Sequence, residues 1–117
     1  MGHQTGLYSG VNEKMASFNI NNSVNAMLNQ GVDPSKLVIG VAKYGRGWNA
    51  VSGMSADDFT NANGGGAITG TWEKSILDYK DIAHKYYNET SQTGMGEFEY
   101  FYNEVDQAAY LYNATKK

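Results

Sequence analysis

The stretch Lys36-Leu37-Val38-Ile39-Gly40-Val41-Ala42-Lys43-Tyr44-Gly45-Arg46-Gly47-Trp48 constrains this chain more than any other. Leu37 to Ala42 is an almost unbroken apolar run rich in β-branched residues, too short for a good helix. Such runs suit parallel strands covered on both faces. The spacing predicts a strand over about Lys36 to Trp48. Side chains alternate faces along a strand, so Tyr44, Arg46 and Trp48 should project on one side. Gly45 and Gly47 leave the other side bare and allow another group to approach closely.

Upstream, Ser17 is a candidate cap for a helix over about Phe18 to Gln30. Ile20, Val24, Met27 and Leu28 fall at i, i+4, i+7 and i+8 and form one apolar stripe. Gly31 reads as the residue just past the helix, and Pro34 blocks continuation. Helix, short loop and strand make half of a βαβ crossover, whose parallel neighbours are not in this chain. Residues 1–16 read as loop. After Trp48 the composition shifts, and Ser52 to Gly66 is rich in Gly, Asn, Ser and Asp, again a loop. A second helix is predicted from Trp72 or Glu73 to Tyr87, capped by Thr71, with Trp72, Ile76, Tyr79, Ala83 and Tyr86 at helical period. Phe98 to Tyr102 and Ala108 to Tyr112 read as a hairpin.

Composition narrows the function classes. A chain of 117 residues is one domain by size. The net charge of −3 argues against nucleic acid, which wants a basic stripe. No run is long and apolar enough to span a membrane. There is no cysteine, so disulfides are excluded. His3 and His84 lie far apart, and no cluster of ligand types suggests a metal or any other cofactor. Glu97, Glu99 and Glu104 are read as a solvated strand face rather than as an acid/base pair. Nine tyrosines exceed what a core of this size needs. Two explanations stand side by side: a tyrosine-rich sheet, or a binding surface built from flat apolar faces with polar tips.

The segment Tyr44-Gly45-Arg46-Gly47-Trp48 closely resembles the seventh barrel strand of glycoside hydrolase family 18 chitinases. Further segments are similar to that family in the same order. Gly2-His3-Gln4-Thr5-Gly6-Leu7-Tyr8 resembles the loop after the sixth strand, and Val24 to Lys36 resembles the helix and loop that feed the seventh. Gly70-Thr71-Trp72-Glu73 with Ile76-Leu77-Asp78-Tyr79 resembles the insertion domain of bacterial chitinase A-like enzymes, as does the aromatic segment from Phe98 to Tyr112. The resemblance implies an α+β fold: a chitinase insertion domain, antiparallel sheet plus helix, attached to a helix-strand piece of a (β/α)8 TIM barrel. Residues 1–48 would be the partial barrel segment and 49–117 the insertion domain, truncated before the final barrel strand. The family's catalytic signature, Asp-x-x-Asp-x-Asp-x-Glu, has no match here. Asp78-x-x-Asp81 begins it, but Ala83 and Lys85 fill the next positions.

The resemblance implies a parent enzyme that hydrolyses β-1,4-linked N-acetylglucosamine polymers with retention, the substrate's own acetamide acting as nucleophile. This chain would supply substrate binding and no catalytic residue. The expected partners are chitin or chito-oligosaccharides and the rest of the parent barrel, with no nucleic acid and no membrane. Secretion is implied by the family and not by these residues. The candidate substrate-binding residues are Tyr44, Arg46, Trp72, Glu73, Phe18 and Ile76. A Trp face can stack on the apolar face of a pyranose, and a neighbouring carboxylate can accept from sugar hydroxyls or an acetamide N–H. Each candidate has a plainer reading: Trp72 as a helix-entry anchor packed in the core, and Arg46 in a structural ion pair. Phe18 stands where related enzymes often carry a Tyr, which keeps the ring and loses the hydroxyl. Lys43 replaces the apolar residue usual before the Tyr, so its charged end should snorkel outward. The alternatives to an enzyme part are a non-catalytic carbohydrate-binding module and a chitinase-like lectin.

Overall fold

The computed structural model describes residues 2–3, 5–11, 15–55, 59 and 61–115. Parts of the loops expected at 1–16 and 52–66, and Gln4 of the first resemblance segment, lie outside the described residues. The chain divides into two compact units, one of residues 2–42 with 104–108, the other of 43–103 with 109–115.

The first unit is built on α1, Ile20–Asn29. Its N-cap is Asn19 rather than the expected Ser17. Asn19 is extended (φ −148°, ψ 164°), and its side-chain oxygen accepts from the Asn22 backbone N–H at 2.8 Å. Its Nδ2 donates to the Ala16 carbonyl at 2.8 Å, and the residue is 3% exposed. Asparagine thus answers an orphan helix donor and ties down the preceding turn, which a serine two residues earlier cannot reach. Ile20 and Asn21 donate to the Gly6 and Leu7 carbonyls at 3.1 and 3.0 Å, so the N-terminal loop is sewn to the helix start. Gly31, at φ +85°, ends the helix in the left-handed region, as read from the sequence. Pro34–Lys36 forms one 3₁₀ turn capped by Asp33.

The expected strand over Lys36 to Trp48 is corrected. Residues 37–43 pair with nothing as a strand, and Val38 and Val41 are 94% and 83% exposed. A strand is defined by the neighbours that satisfy its backbone groups, and an apolar run alone does not provide them. Pairing begins only at β1, Tyr44–Arg46, and resumes at β2, Trp48–Asn49.

In the second unit, β2 pairs antiparallel with β3, Gly66–Ala67, and β1 pairs antiparallel with β4, Ile76–Asp78. α2 follows over Tyr79–Lys85, then β5 (Tyr87–Asn88) paired with β6 (Thr93–Gly94). The hairpin of β7 (Glu99–Asn103) and β8 (Ala108–Tyr112) closes the chain. The result is a small α+β arrangement of two helices and short antiparallel pairs. The predicted second helix is also corrected, since residues 71–78 are a turn and a strand, only Tyr79–Lys85 is helical, and Tyr87 already belongs to the next strand.

Much of the aromatic content lies inside this unit. Tyr86 packs on Phe98 (4.9 Å between ring centroids), Tyr87 on Tyr100 (5.0 Å), and Tyr110 between Phe59 (4.9 Å) and Phe101 (5.3 Å). Each such ring pair adds about 0.5–1.5 kcal/mol beyond its area burial. With Leu77 and Ala62 the only buried apolar residues among those described, these half-buried rings serve as much of the core.

Asn19→Ala should lower stability by about 1–2 kcal/mol through loss of the α1 cap, read as a shift of the urea midpoint with unchanged slope.

Candidate substrate-binding face

Residues directly opposite in an antiparallel pair point to the same side of the sheet. In β1 and β4 the opposed pairs are Tyr44 with Asp78, Gly45 with Leu77, and Arg46 with Ile76. Tyr44, Arg46, Ile76 and Asp78 therefore share one face, and Gly45 and Leu77 share the other. Leu77 is 7% exposed and marks the inner side. A Cβ on Gly45 would lie 2.9 Å from Ile82 Cδ1, so the glycine lets α2 pack directly against β1. The outer face stays open, with Tyr44 47% exposed and Arg46 exposed.

The turn ahead of β4 brings Trp72 and Glu73 to this face. Thr71 N–H donates to the Ile76 carbonyl at 2.9 Å, Ile76 N–H to the Glu73 carbonyl at 3.3 Å, and Ser75 adopts φ +65°. Gly47 N–H donates to Ser75 O at 3.0 Å, joining the turn to the end of β1. Trp72 is 82% exposed, which rules against the core-anchor reading. Its indole Nε1–H donates to Asp78 Oδ2 at 3.1 Å. Lys80 Nζ sits 3.5 Å from the same carboxylate oxygen and 5.7 Å from the Trp72 ring centroid, over the ring. Asp78 N–H donates to Thr71 Oγ1 at 2.9 Å, and that hydroxyl in turn donates to Asp81.

Asp78 is the residue that sequence reasoning missed as part of the site. It stands at the N-cap of α2, yet its side chain makes no capping bond. A capping carboxylate normally contributes about 1 kcal/mol to its helix. Here that acceptor is turned to the indole and to Lys80. The available signal was an Asp immediately after the apolar pair Ile76-Leu77 and six residues past an isolated Trp.

Five of the six residues predicted from sequence, Tyr44, Arg46, Trp72, Glu73 and Ile76, come together around β1, β4 and the turn. Phe18 lies in the other unit, ahead of α1, and is 48% exposed. Beside α2 an open depression of about 700 Å³ is lined by Lys43, Asp78, Tyr79, Lys80, Ala83, His84 and Glu89. Lys43 opens to it while its carbonyl accepts from Tyr79 N–H at 2.9 Å. Tyr79 donates its hydroxyl to Glu89 at 2.9 Å, which with burial raises the phenol above its ordinary value. Among the described residues no group of three or more His, Asp or Glu could hold a metal, and no helix is long and apolar enough to cross a membrane.

The family model for glycosyl hydrolases family 18 matches residues 1–117. The chain belongs to this family. It is 33% identical over 116 residues to the chitinase of Autographa californica nuclear polyhedrosis virus, covering 99% of this chain and 19% of that protein. It is 39% identical over 139 residues to chitinase A of Pseudoalteromonas piscicida, covering 96% and 17% respectively. Among solved structures it matches chitinase ChiA74 from Bacillus thuringiensis with TM-score 0.74 and 27% identity, over 99% of this chain and 20% of that one. A family 18 N-acetylglucosaminidase from Paenibacillus barengoltzii matches with TM-score 0.70 and 25% identity, over 97% and 29%. The chain thus spans about a fifth of the length of the family 18 relatives it matches.

The Thr71 hydroxyl, opposed by desolvation and assisted by the Lys85 and Lys80 charges, holds the Asp81 carboxyl below its ordinary value. A depressed folded value means the stabilisation is complete above the unfolded carboxylate value and is lost as pH falls through the depressed one. Thr71→Val should move the Asp81 carboxyl titration back up towards the ordinary Asp value, measured by NMR of the side-chain carboxyl carbon. An unchanged titration contradicts the assignment.

Proposed function

We propose that this chain is the cleft-wall portion of a chitinase, an enzyme that hydrolyses β-1,4-linked N-acetylglucosamine polymers. The observation that carries the reading is Trp72. It is 82% exposed on a folded turn, and its hydrogen bond to Asp78 ties it to the face that presents Tyr44 and Arg46. A large indole left open beside polar groups is costly in water unless a ligand covers it, and a pyranose offers a flat apolar face ringed by hydroxyls. In this reading Trp72 and Tyr44 take the sugar faces. Arg46 and Glu73 donate to and accept from hydroxyl and acetamide groups, and Ile76 packs between them.

The reaction would follow the family's substrate-assisted course, in which the substrate's acetamide attacks the anomeric carbon and the configuration is retained. The carboxylic acid that protonates the leaving oxygen would come from another segment of the enzyme, since the acidic signature has no counterpart among these residues. Residues 1–48 would belong to the TIM barrel and 49–117 to the insertion domain. The exposed run at Val38, Ile39 and Val41 supports this, because the apolar side chains of a barrel strand are those that the barrel interior and its surrounding helices would cover. An insoluble polymeric substrate places such an enzyme outside the cell.

Titration with chitin hexasaccharide, followed by tryptophan fluorescence and amide shifts, tests the reading. Saturable shifts at Trp72, Glu73, Tyr44 and Arg46 are expected. Trp72→Ala should weaken binding about tenfold, the equivalent of about 1.4 kcal/mol, and leave the free energy of unfolding within about 0.5 kcal/mol because the side chain is exposed. The chain by itself should not turn over a fluorogenic chitobioside. Sustained turnover by pure protein contradicts the division of labour.

A further inference from the structure

An exposed tryptophan on a turn is free to swing, and a sugar that must stack on it would first have to arrest it. The surroundings of Trp72 remove that freedom from two directions. The indole edge is tethered through Nε1–H to Asp78 Oδ2 at 3.1 Å. One ring face is occupied by the Lys80 ammonium, 5.7 Å from the centroid. That ammonium is itself drawn in by the same Asp78 oxygen at 3.5 Å.

Asp78 is rigid enough to serve as the anchor. It is held in β4 opposite Tyr44, and its N–H is fixed by the Thr71 hydroxyl at 2.9 Å. Thr71 lies next to Trp72, so the network closes on the turn it stabilises. The Asp78 carboxylate leaves the N-terminal N–H groups of α2 without its bond, although capping is the ordinary use of an Asp at that position. An exposed ion pair such as Asp78–Lys80 adds little to stability. Fold stability therefore gives little reason for this geometry, whereas indole orientation gives a direct one.

We propose that Asp78 and Lys80 are positioning residues that fix the Trp72 indole and leave only the face away from Lys80 for a pyranose ring. A cation over one π-face binds the ring quadrupole there, so the sugar stacks on the opposite side while Lys80 stays in place. Preorganisation of this kind raises affinity by removing the ordering cost that binding would otherwise carry. The inference rests on the reading of Trp72 as a sugar platform.

The test is an NMR titration of the 117-residue chain with chitin hexasaccharide, on wild type, Asp78→Ala, Asp78→Asn, Lys80→Ala, Trp72→Ala and the Trp72→Ala/Asp78→Ala double variant. In the free wild type the Trp72 indole N–H should be protected from exchange. Asp78→Ala should abolish that protection, and Asp78→Asn, which keeps an acceptor, should restore most of it. Asp78→Ala should weaken binding about three- to tenfold in the wild-type background and have almost no effect once Trp72 is gone, the signature of two residues acting through one contact. Sugar ring protons should show contacts to the indole while Lys80 keeps its own. Loss of the Lys80–indole contacts on binding, or an equal Asp78→Ala effect with and without Trp72, overturns the positioning role and leaves the platform reading intact. If the wild-type chain binds with no change at Trp72, or does not bind, the platform reading fails and this inference with it.

Discussion

The antiparallel pairing of Tyr44–Arg46 with Ile76–Asp78 is the constraint on which the rest of the site depends. It is a short pair, but its register assigns every neighbouring side chain to a side. Gly45 and Leu77 go inward, where Ile82 of α2 lies against Gly45 and Leu77 is buried. Tyr44, Arg46, Ile76 and Asp78 go outward. A slip of one residue would exchange the two sets and turn Leu77 to water. The bond from Tyr79 N–H to the Lys43 carbonyl continues the pairing by one step just as the chain turns into α2. The same register therefore places the helix, and with it Lys80 and Asp81.

A second layer of polar contacts fixes the turn relative to that pair. Thr71 accepts from the Asp78 backbone and donates to the Asp81 side chain, Gly47 donates to Ser75, and the Trp72 indole donates to Asp78. These bonds link the turn, both strands and the first turn of α2 without a large apolar core beneath them. The half-buried ring pairs around Tyr86, Tyr87 and Tyr110 carry packing elsewhere in the same unit. The tyrosine excess noted in the sequence thus has two destinations. Tyr86, Tyr87, Tyr100 and Tyr110 are packing residues, whereas Tyr44 stands open on the outer face.

Local patterns were legible where local physics decides the structure. The stripe from Ile20 to Leu28 and Gly31 located α1 to within two residues at its start, and the aromatic runs located the β7–β8 hairpin. The pattern failed where non-local pairing overrides it. Leu37 to Ala42 has the composition of a buried strand, but among the described residues nothing pairs with it as one. Trp72, Ile76, Tyr79, Ala83 and Tyr86 keep helical spacing, yet Ile76–Asp78 is drawn into a strand by Tyr44–Arg46, thirty residues upstream, and Ser75 takes φ +65° to allow it. The grouping of Tyr44 and Arg46 came from strand alternation, and their link to Trp72, Glu73 and Ile76 came from family resemblance. The place of Asp78 left a faint signal in its spacing from Trp72, but that spacing does not say that an N-capping residue will turn its carboxylate to a neighbouring indole.

The most direct measurement is a crystal structure of this chain with chitin hexasaccharide bound. The account predicts a pyranose stacked on the Trp72 face away from Lys80, with Tyr44, Arg46 and Glu73 in contact with the glycan and the Asp78–indole bond kept. A glycan seated in the depression between Lys43 and His84, with Trp72 left bare, would contradict it.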